Sequence, residues 1–188
     1  VMVKIGGFPL EELQRCSRCV LPITWETVYF DEEGVCNICR NWDVKQKEID
    51  WKARDRELRE IFNEVKGRNL PYDCIVPFSG GKDSTFTLWA IVREYGLKPL
   101  VVSFDHWFYR PNMLENRKRT FRRLGVDVMT FTPNWKIVRR LMLESLIRKG
   151  DFCWHCHAGV FAFPMHMAVK FKVPLVIWGE GGGEYEAY

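Results

Sequence analysis

The sequence predicts an α/β protein, with a doubly wound parallel sheet over residues 71–188 and a small cysteine-bearing segment ahead of it. Three observations predict this. From residue 73 onward, short β-rich runs alternate with amphipathic helical stretches, as in strand–crossover–strand units. Two Cys-x-x-Cys pairs fall within residues 16–39, a stretch too rich in turns to build a core of its own. A Ser-Gly-Gly turn joins the first β-rich run of the larger part to its first helix. The division expected is 1–42 for the cysteine segment, 43–70 for a connecting helix, and 71–188 for the sheet domain.

Taken in order, residues 1–12 read as a loose lead-in. Residues 16–39 contain Pro22, Gly34 and short β-type stretches around residues 23–30. A polar helix is expected over 43–66, with Trp51, Leu58, Ile61, Phe62 and Val65 on one core-facing stripe and Gly67 as its stop. The strands expected next are 74–78, 100–105, 126–131 and 175–178. Helices are expected over 84–95, 111–124, 134–149 and 159–171, with Gly96, Gly125 and Gly150 ending the first three. Pro77 stands against a central position for the first strand, because it removes one ladder hydrogen bond.

The 188 residues are 47% hydrophobic and 28% charged, which fits a packed core and excludes a disordered or fibrous chain. The longest apolar run, 173–178, is far too short to span a bilayer. No charged-then-apolar leader is seen, so a cytoplasmic location with no membrane partner is expected. The net charge is +4, and the basic excess is concentrated in 110–123 and 136–149. Solvated helix faces account for much of it; a phosphorylated small molecule or RNA is the alternative partner.

Seven cysteines without a leader point to a reducing compartment, where paired cysteines bind metal more often than they form disulfides. Cys16-x-x-Cys19 and Cys36-x-x-Cys39 are separated by sixteen residues. Each pair can reach one ion from a tight turn, and four thiolates close a tetrahedral structural Zn²⁺ site. Its binding energy would fold the segment.

The run Ser79-Gly80-Gly81-Lys82-Asp83-Ser84 follows the first strand and opens a helix. Glycines let the backbone approach a phosphate, and the loop amides with the helix N-terminus present partial positive charge. Lys82 adds a full charge, and Ser79 and Ser84 add hydroxyl donors. The run is neither a Walker loop nor a dinucleotide fingerprint, since Lys82 precedes Asp83 and no Gly-x-Gly-x-x-Gly is present. Asp105 lies at the carboxyl end of the second strand, where open α/β sheets bind ligands, or serves there as a turn cap. Gly179-Glu180 follows the fourth strand. Glu180 is placed to hold Mg²⁺ or orient an attacking amine, or is a surface loop residue.

For Cys153-Trp154-His155-Cys156-His157, three readings stand: half of a metal or iron–sulfur site, a substrate pocket in which His155 and His157 meet an anionic group, or a packed corner with inert thiols.

The Ser-Gly-Gly-x-Asp-Ser run between strand and helix resembles the pyrophosphate loop of the N-type ATP pyrophosphatases. That resemblance implies an adenine nucleotide alpha hydrolase-like sheet, with ATP bound at Ser79, Gly80, Gly81, Lys82, Asp83, Ser84 and Gly179, and with adenosine cradled near Ser103 and Asp105. Lys82, Asp83 and Glu180 would carry catalysis. Together with Cys16-x-x-Cys19-Val-Leu-Pro, Asp31-x-x-Gly34-Val-Cys36-Asn-x-Cys39, Val102-Ser103-Phe104-Asp105 and Gly150-Asp151-Phe152-Cys153-Trp154-His155-Cys156-His157, the chain is similar to the N-acetyl sugar amidotransferases of surface-polysaccharide synthesis, the group of the lipopolysaccharide O-antigen enzyme. Members are about twice as long, so the chain looks like an N-terminal half, and Gly181–Gly183 depart from the pattern. The resemblance implies ATP and Mg²⁺ as cofactors beside structural Zn²⁺, a nucleotide-sugar substrate, and a glutaminase subunit with a cyclase-like subunit supplying ammonia. A tRNA thiolation enzyme of the same superfamily is the alternative. A zinc-bearing nucleic-acid module is the non-enzymatic one, and the intact loop speaks against it.

Overall fold

The computed structural model describes residues 13–24 and 26–180, together with the backbone of Lys4–Ile5 and Phe8–Pro9. It divides into two compact units, one within residues 1–55 and the other Arg56–Glu180. Gly181–Gly183 lie outside the described residues. No described helix is long and apolar enough to cross a membrane.

In the first unit, β1 (Lys4–Ile5) and β2 (Phe8–Pro9) form a minimal antiparallel pair within the stretch read as a lead-in. Two cysteine turns follow, each closed by an antiparallel bridge, Arg15 with Pro22 and Phe30 with Cys36. Cys36 then caps α1 (Asn37–Glu48). The expected helix over 43–66 is two helices instead. Ile49 leaves helical geometry, and Asp50 Oδ1 accepts from the amides of Lys52 and Ala53 at 3.0 Å, starting α2 (Trp51–Gly67) afresh; from Arg56 onward α2 belongs to the second unit. The predicted core stripe shortens accordingly. Phe62 and Val65 are buried, whereas Trp51, Leu58 and Ile61 are exposed.

In the second unit, β3 (Cys74–Pro77), β4 (Pro99–Phe104) and β5 (Asp127–Phe131) form a parallel sheet in that order. Pairing is in simple register, Ile75 beside Leu100 and Val101 beside Val128. The fourth expected strand is reduced to a short pairing of residues 175–177 with β3. Ile75 donates to the Leu175 carbonyl and accepts from the Ile177 amide, both at 2.8 Å. β3 is therefore central, and Pro77 is tolerated because its missing N–H falls on the side where this pairing stops. Phe78 resumes bonding on the other side by donating to the Val102 carbonyl. Buried Asp73 fastens the strand starts, accepting from the Lys98 amide at 2.7 Å.

Alternate residues of these strands face two apolar layers. Cys74, Val76, Phe78 and Val101 pack with Phe62, Leu88 and Ile91. Ile75, Leu100 and Val102 pack with Ala168 and Val173. Near-continuous apolar strands are what a parallel sheet covered on both faces requires. The first layer comes from α2, α3 (Lys82–Trp89) and α4 (Pro111–Leu124), and the second from α6 (Trp154–Phe171).

The helix expected over 84–95 starts at Lys82 and widens into a π segment, Ala90–Glu94, closed by the Tyr95 amide on the Ala90 carbonyl. α4 matches its expected bounds, and α5 (Trp135–Lys149) is capped by Asn134. α6 begins at Trp154 rather than near Gly159. Asp151 Oδ1 accepts the Cys153 amide at 2.7 Å, and the Cys153 carbonyl receives the Cys156 amide at 2.8 Å. The cysteine–histidine cluster thus forms the N-cap and first turn of this helix.

Candidate functional site

The four cysteines of the first unit converge. Their sulfurs all lie within 4.8 Å of one another, with Cys16 to Cys39 at 4.0 Å and Cys19 to Cys36 at 3.6 Å. A tetrahedral ion with Zn–S bonds of about 2.3 Å places its sulfurs about 3.8 Å apart, so the set fits Zn²⁺. Amides reinforce it. Arg18, Cys19 and Cys36 donate to Cys16 Sγ at 3.4, 3.5 and 3.2 Å. Burial raises the Cys16 thiol, but these donors outweigh it and bring it down to about 6. Burial pushes Cys39 the other way, up to about 12, with the neighbouring cysteines adding to the rise. Cys36 Sγ accepts the Cys39 amide at 3.4 Å and so caps α1, which places one ligand pair at a helix N-terminus. An ion held here would have all four positions filled by cysteine, the closed arrangement of structural rather than catalytic sites. Among the described residues it is the only cluster of three or more potential metal ligands. Cys153 and Cys156 therefore form no such group with Cys74, whose buried thiol is pushed up to about 12 by desolvation.

In the second unit the Ser79–Ser84 run leaves β3 and turns into α3 as expected. Gly80 takes φ +93°, where any other residue is strained, and a β-carbon there would crowd Arg117 Cγ at 3.0 Å. Ser79 and Ser84 hydroxyls lie 3.1 Å apart. Ser84 Oγ also accepts the Gly80 amide at 3.2 Å, and Ser79 Oγ accepts the Gly81 amide at 3.3 Å. These hydroxyls hold amides that a phosphate oxygen is suited to take. Lys82 and Asp83 are both exposed and paired at 2.7 Å. A cavity of about 480 Å³ opens beside the loop, lined by Gly80, Gly81, Lys82, Asn116, Arg117 and Arg119 among others.

Gly179 is brought to the same place, against Ser84 and Thr87 of α3. Glu180 follows and is exposed. Ser103 is buried, and its hydroxyl donates to the Phe78 carbonyl at 2.9 Å, one residue before the loop. Asp105 closes the turn after β4, with Oδ1 accepting the Trp107 amide at 2.8 Å and Oδ2 the Thr132 hydroxyl at 3.2 Å. The two histidines of the α6 cluster separate: His157 is exposed, whereas His155 is buried. His155 Nδ1 lies 3.2 Å from the Phe152 carbonyl, to which it donates. His155 Nε2 is buried and has no hydrogen-bond partner among the described residues. His106 sits near it, its ring 4.2 Å from Tyr109, and its pKa is lowered by burial, with Arg117 and His155 adding to the effect and Asp105 opposing it.

Arg117 is the residue that sequence reasoning passed over. It lies in the basic run of α4 yet is buried, and it donates to the loop carbonyls of Phe78 and Ser79 at 3.3 and 3.1 Å. A signal was present. Met113, Arg117, Phe121 and Leu124 recur at helical spacing, so this arginine stands on the apolar stripe.

No protein-family model matches the chain. Over 144 residues it is 26% identical to an uncharacterized protein of Methanocaldococcus jannaschii, covering 76% of this chain and 50% of that protein. Over 91 residues it is 29% identical to a GMP synthase [glutamine-hydrolyzing] of Pyrobaculum aerophilum, covering 48% of this chain and 18% of that enzyme. The chain thus spans half the length of the first relative and a smaller part of the second.

Proposed function

We propose that this chain is the nucleotide-binding part of an ATP pyrophosphatase-type amidotransferase acting on a nucleotide-linked N-acetyl sugar. The observation that carries the reading is the loop Ser79–Ser84. It joins a central parallel strand to a helix N-terminus, with two glycines, two hydroxyls and Lys82 around amides suited to an anion. The similarity to a glutamine-hydrolysing GMP synthase supports ATP use and ammonia as nitrogen source. The sugar substrate rests on the resemblance of the sequence motifs, and with it the assignment to an adenine nucleotide alpha hydrolase-like, doubly wound fold.

In this reading ATP lies with its β and γ phosphates over the loop and its adenosine towards Ser103 and Asp105. The acetamido oxygen attacks the α-phosphorus, a P–O bond forms, and pyrophosphate departs into the amides and Lys82. The clamp matters because charge develops on that leaving group. Ammonia then adds to the activated carbon, gives up a proton, and the C–O bond breaks to release AMP and an acetamidino group. Asp83 and Glu180 are the carboxylates proposed to hold Mg²⁺, which would shield the phosphate oxygens. Ammonia is mostly protonated at neutral pH, so a glutaminase subunit with a cyclase-like subunit is the proposed source. His155 and His157 are the proposed contacts to the sugar nucleotide.

Mass spectrometry after incubating the chain with candidate nucleotide sugars, ATP, Mg²⁺ and ammonia tests this. A product in which oxygen is replaced by NH, formed with AMP and pyrophosphate, is expected. Lys82→Ala should abolish pyrophosphate release; normal turnover by that variant would remove the loop from the mechanism.

A further inference from the structure

Arg117 is the buried residue of α4, and it is held almost wholly by uncharged acceptors. Nη1 donates to the carbonyls of Phe78 and Ser79 and to the Tyr109 hydroxyl at 3.0 Å. Nη2 donates to Ser103 Oγ at 2.6 Å. Its carbon centre stands 4.5 Å from the Tyr109 ring and 5.5 Å from the Phe78 ring. Among the described residues no carboxylate pairs with it. A buried guanidinium neutralised only by dipoles is costly, and an anion close by relieves the cost.

The carbonyls it binds belong to the peptide units that open the loop. In a trans peptide, C=O and the following N–H point in opposite directions. With the Phe78 and Ser79 carbonyls turned to Arg117, the amides of Ser79 and Gly80 are turned away from it. The Gly80 amide accordingly meets Ser84 Oγ on the loop's other side. The stem of Arg117 also packs tightly against Gly80, where a β-carbon would stand 3.0 Å from its Cγ. One residue thereby fixes two peptide planes, crowds any side chain at Gly80, and ties the loop to the end of β4 through Ser103.

We propose that Arg117 is a positioning residue of the loop: its guanidinium locks the Phe78 and Ser79 carbonyls inward so that the following amides receive a pyrophosphate group, whose charge its own buried charge complements. This rests on the loop reading above and adds a residue to it.

The test is calorimetric titration of the full chain with inorganic pyrophosphate and with ATP, using wild type, Arg117→Met, Arg117→Lys and Lys118→Met. Lys118→Met makes the same charge change at an exposed position of α4 and should bind as wild type does. Arg117→Met, folded by circular dichroism, should bind pyrophosphate at least tenfold more weakly. Arg117→Lys keeps the charge without the fork, so it should fall between the two and move the Gly80 amide resonance. It also decides the matter if the Met variant fails to fold. Wild-type affinity in a folded Arg117→Met, or in Arg117→Lys with the Gly80 resonance unmoved, overturns the proposal and leaves the loop reading standing. A wild-type chain that binds neither pyrophosphate nor ATP overturns both.

Discussion

Gly179 lies flush against Ser84: a β-carbon on Gly179 would stand 3.1 Å from the Ser84 Cα and from its backbone nitrogen. The obstacle is helix backbone in the first turn of α3, which cannot swing aside as a side chain can. Gly179→Ala should therefore destabilise the second unit by about 1–3 kcal/mol, the usual range for overpacking. It should also weaken ATP binding, because Ser84 is displaced with its hold on the Gly80 amide. Urea melts and ATP titration check the two effects together.

Gly159 meets a different obstacle. A β-carbon there would lie 2.3 Å from the Phe104 ring, so the first turns of α6 rest directly on the end of β4. Gly159→Ala should cost about 1–3 kcal/mol, and the double variant Gly159→Ala, Phe104→Leu should recover part of it. Additive losses in thermal melts would show that the ring is not the obstacle.

The cysteine unit should hold one Zn²⁺ per chain. Its buried apolar residues among those described are Cys16, Val28, Cys36 and Cys39, with Leu21, Phe30, Val35 and Ile38 packed against them, a core small enough that a bound ion would supply much of its stability. Structural zinc sites in small peptides contribute about 10–16 kcal/mol of apparent binding energy at neutral pH. Strong chelators should release the ion and collapse the dispersion of NMR signals from residues 14–43. Retention of that dispersion in metal-free protein would contradict the assignment.

Asp31 supplies a pH dependence to the same unit. It binds Arg40 at 2.5 Å and accepts the amides of Glu33 and Val35 at 2.9 Å. The Arg40 hydrogen bond leads the effects that hold its carboxyl below the ordinary 3.8. A depressed folded value means the contribution is complete above the unfolded pKa and fades as pH falls through the folded one. That contribution is present in full at neutral pH. Asp31→Asn should therefore lose part of the turn's stability near neutrality, read in thermal melts of the zinc-loaded protein at a pH where the ion stays bound.

How much of this was legible in the sequence follows from how local each signal is. Cys16, Cys19, Cys36 and Cys39 converge because each pair reads a single turn. The strand–loop–helix around Gly80 is equally local, as are the helix stops at Gly125 and Gly150, both left-handed in the structure. The break before α2 turned on Asp50, a cap that a continuous polar pattern conceals. The π segment at Ala90–Glu94 carries no compositional mark. Arg117 was hidden for another reason. Residue type says surface, and only its contact with carbonyls 38 and 39 residues earlier says otherwise.

Ile75 binds residues 175–177 through both its backbone groups, so the first strand of the sheet is completed by a segment about 100 residues later in the chain. A growing or truncated chain that stops short of residue 177 leaves one flank of β3 as a bare row of donors and acceptors. Such a row recruits strands from other molecules. Shortened versions of this protein should therefore be judged by their solubility before their activity, with the boundary set past Ile177 and not at the end of the phosphate loop.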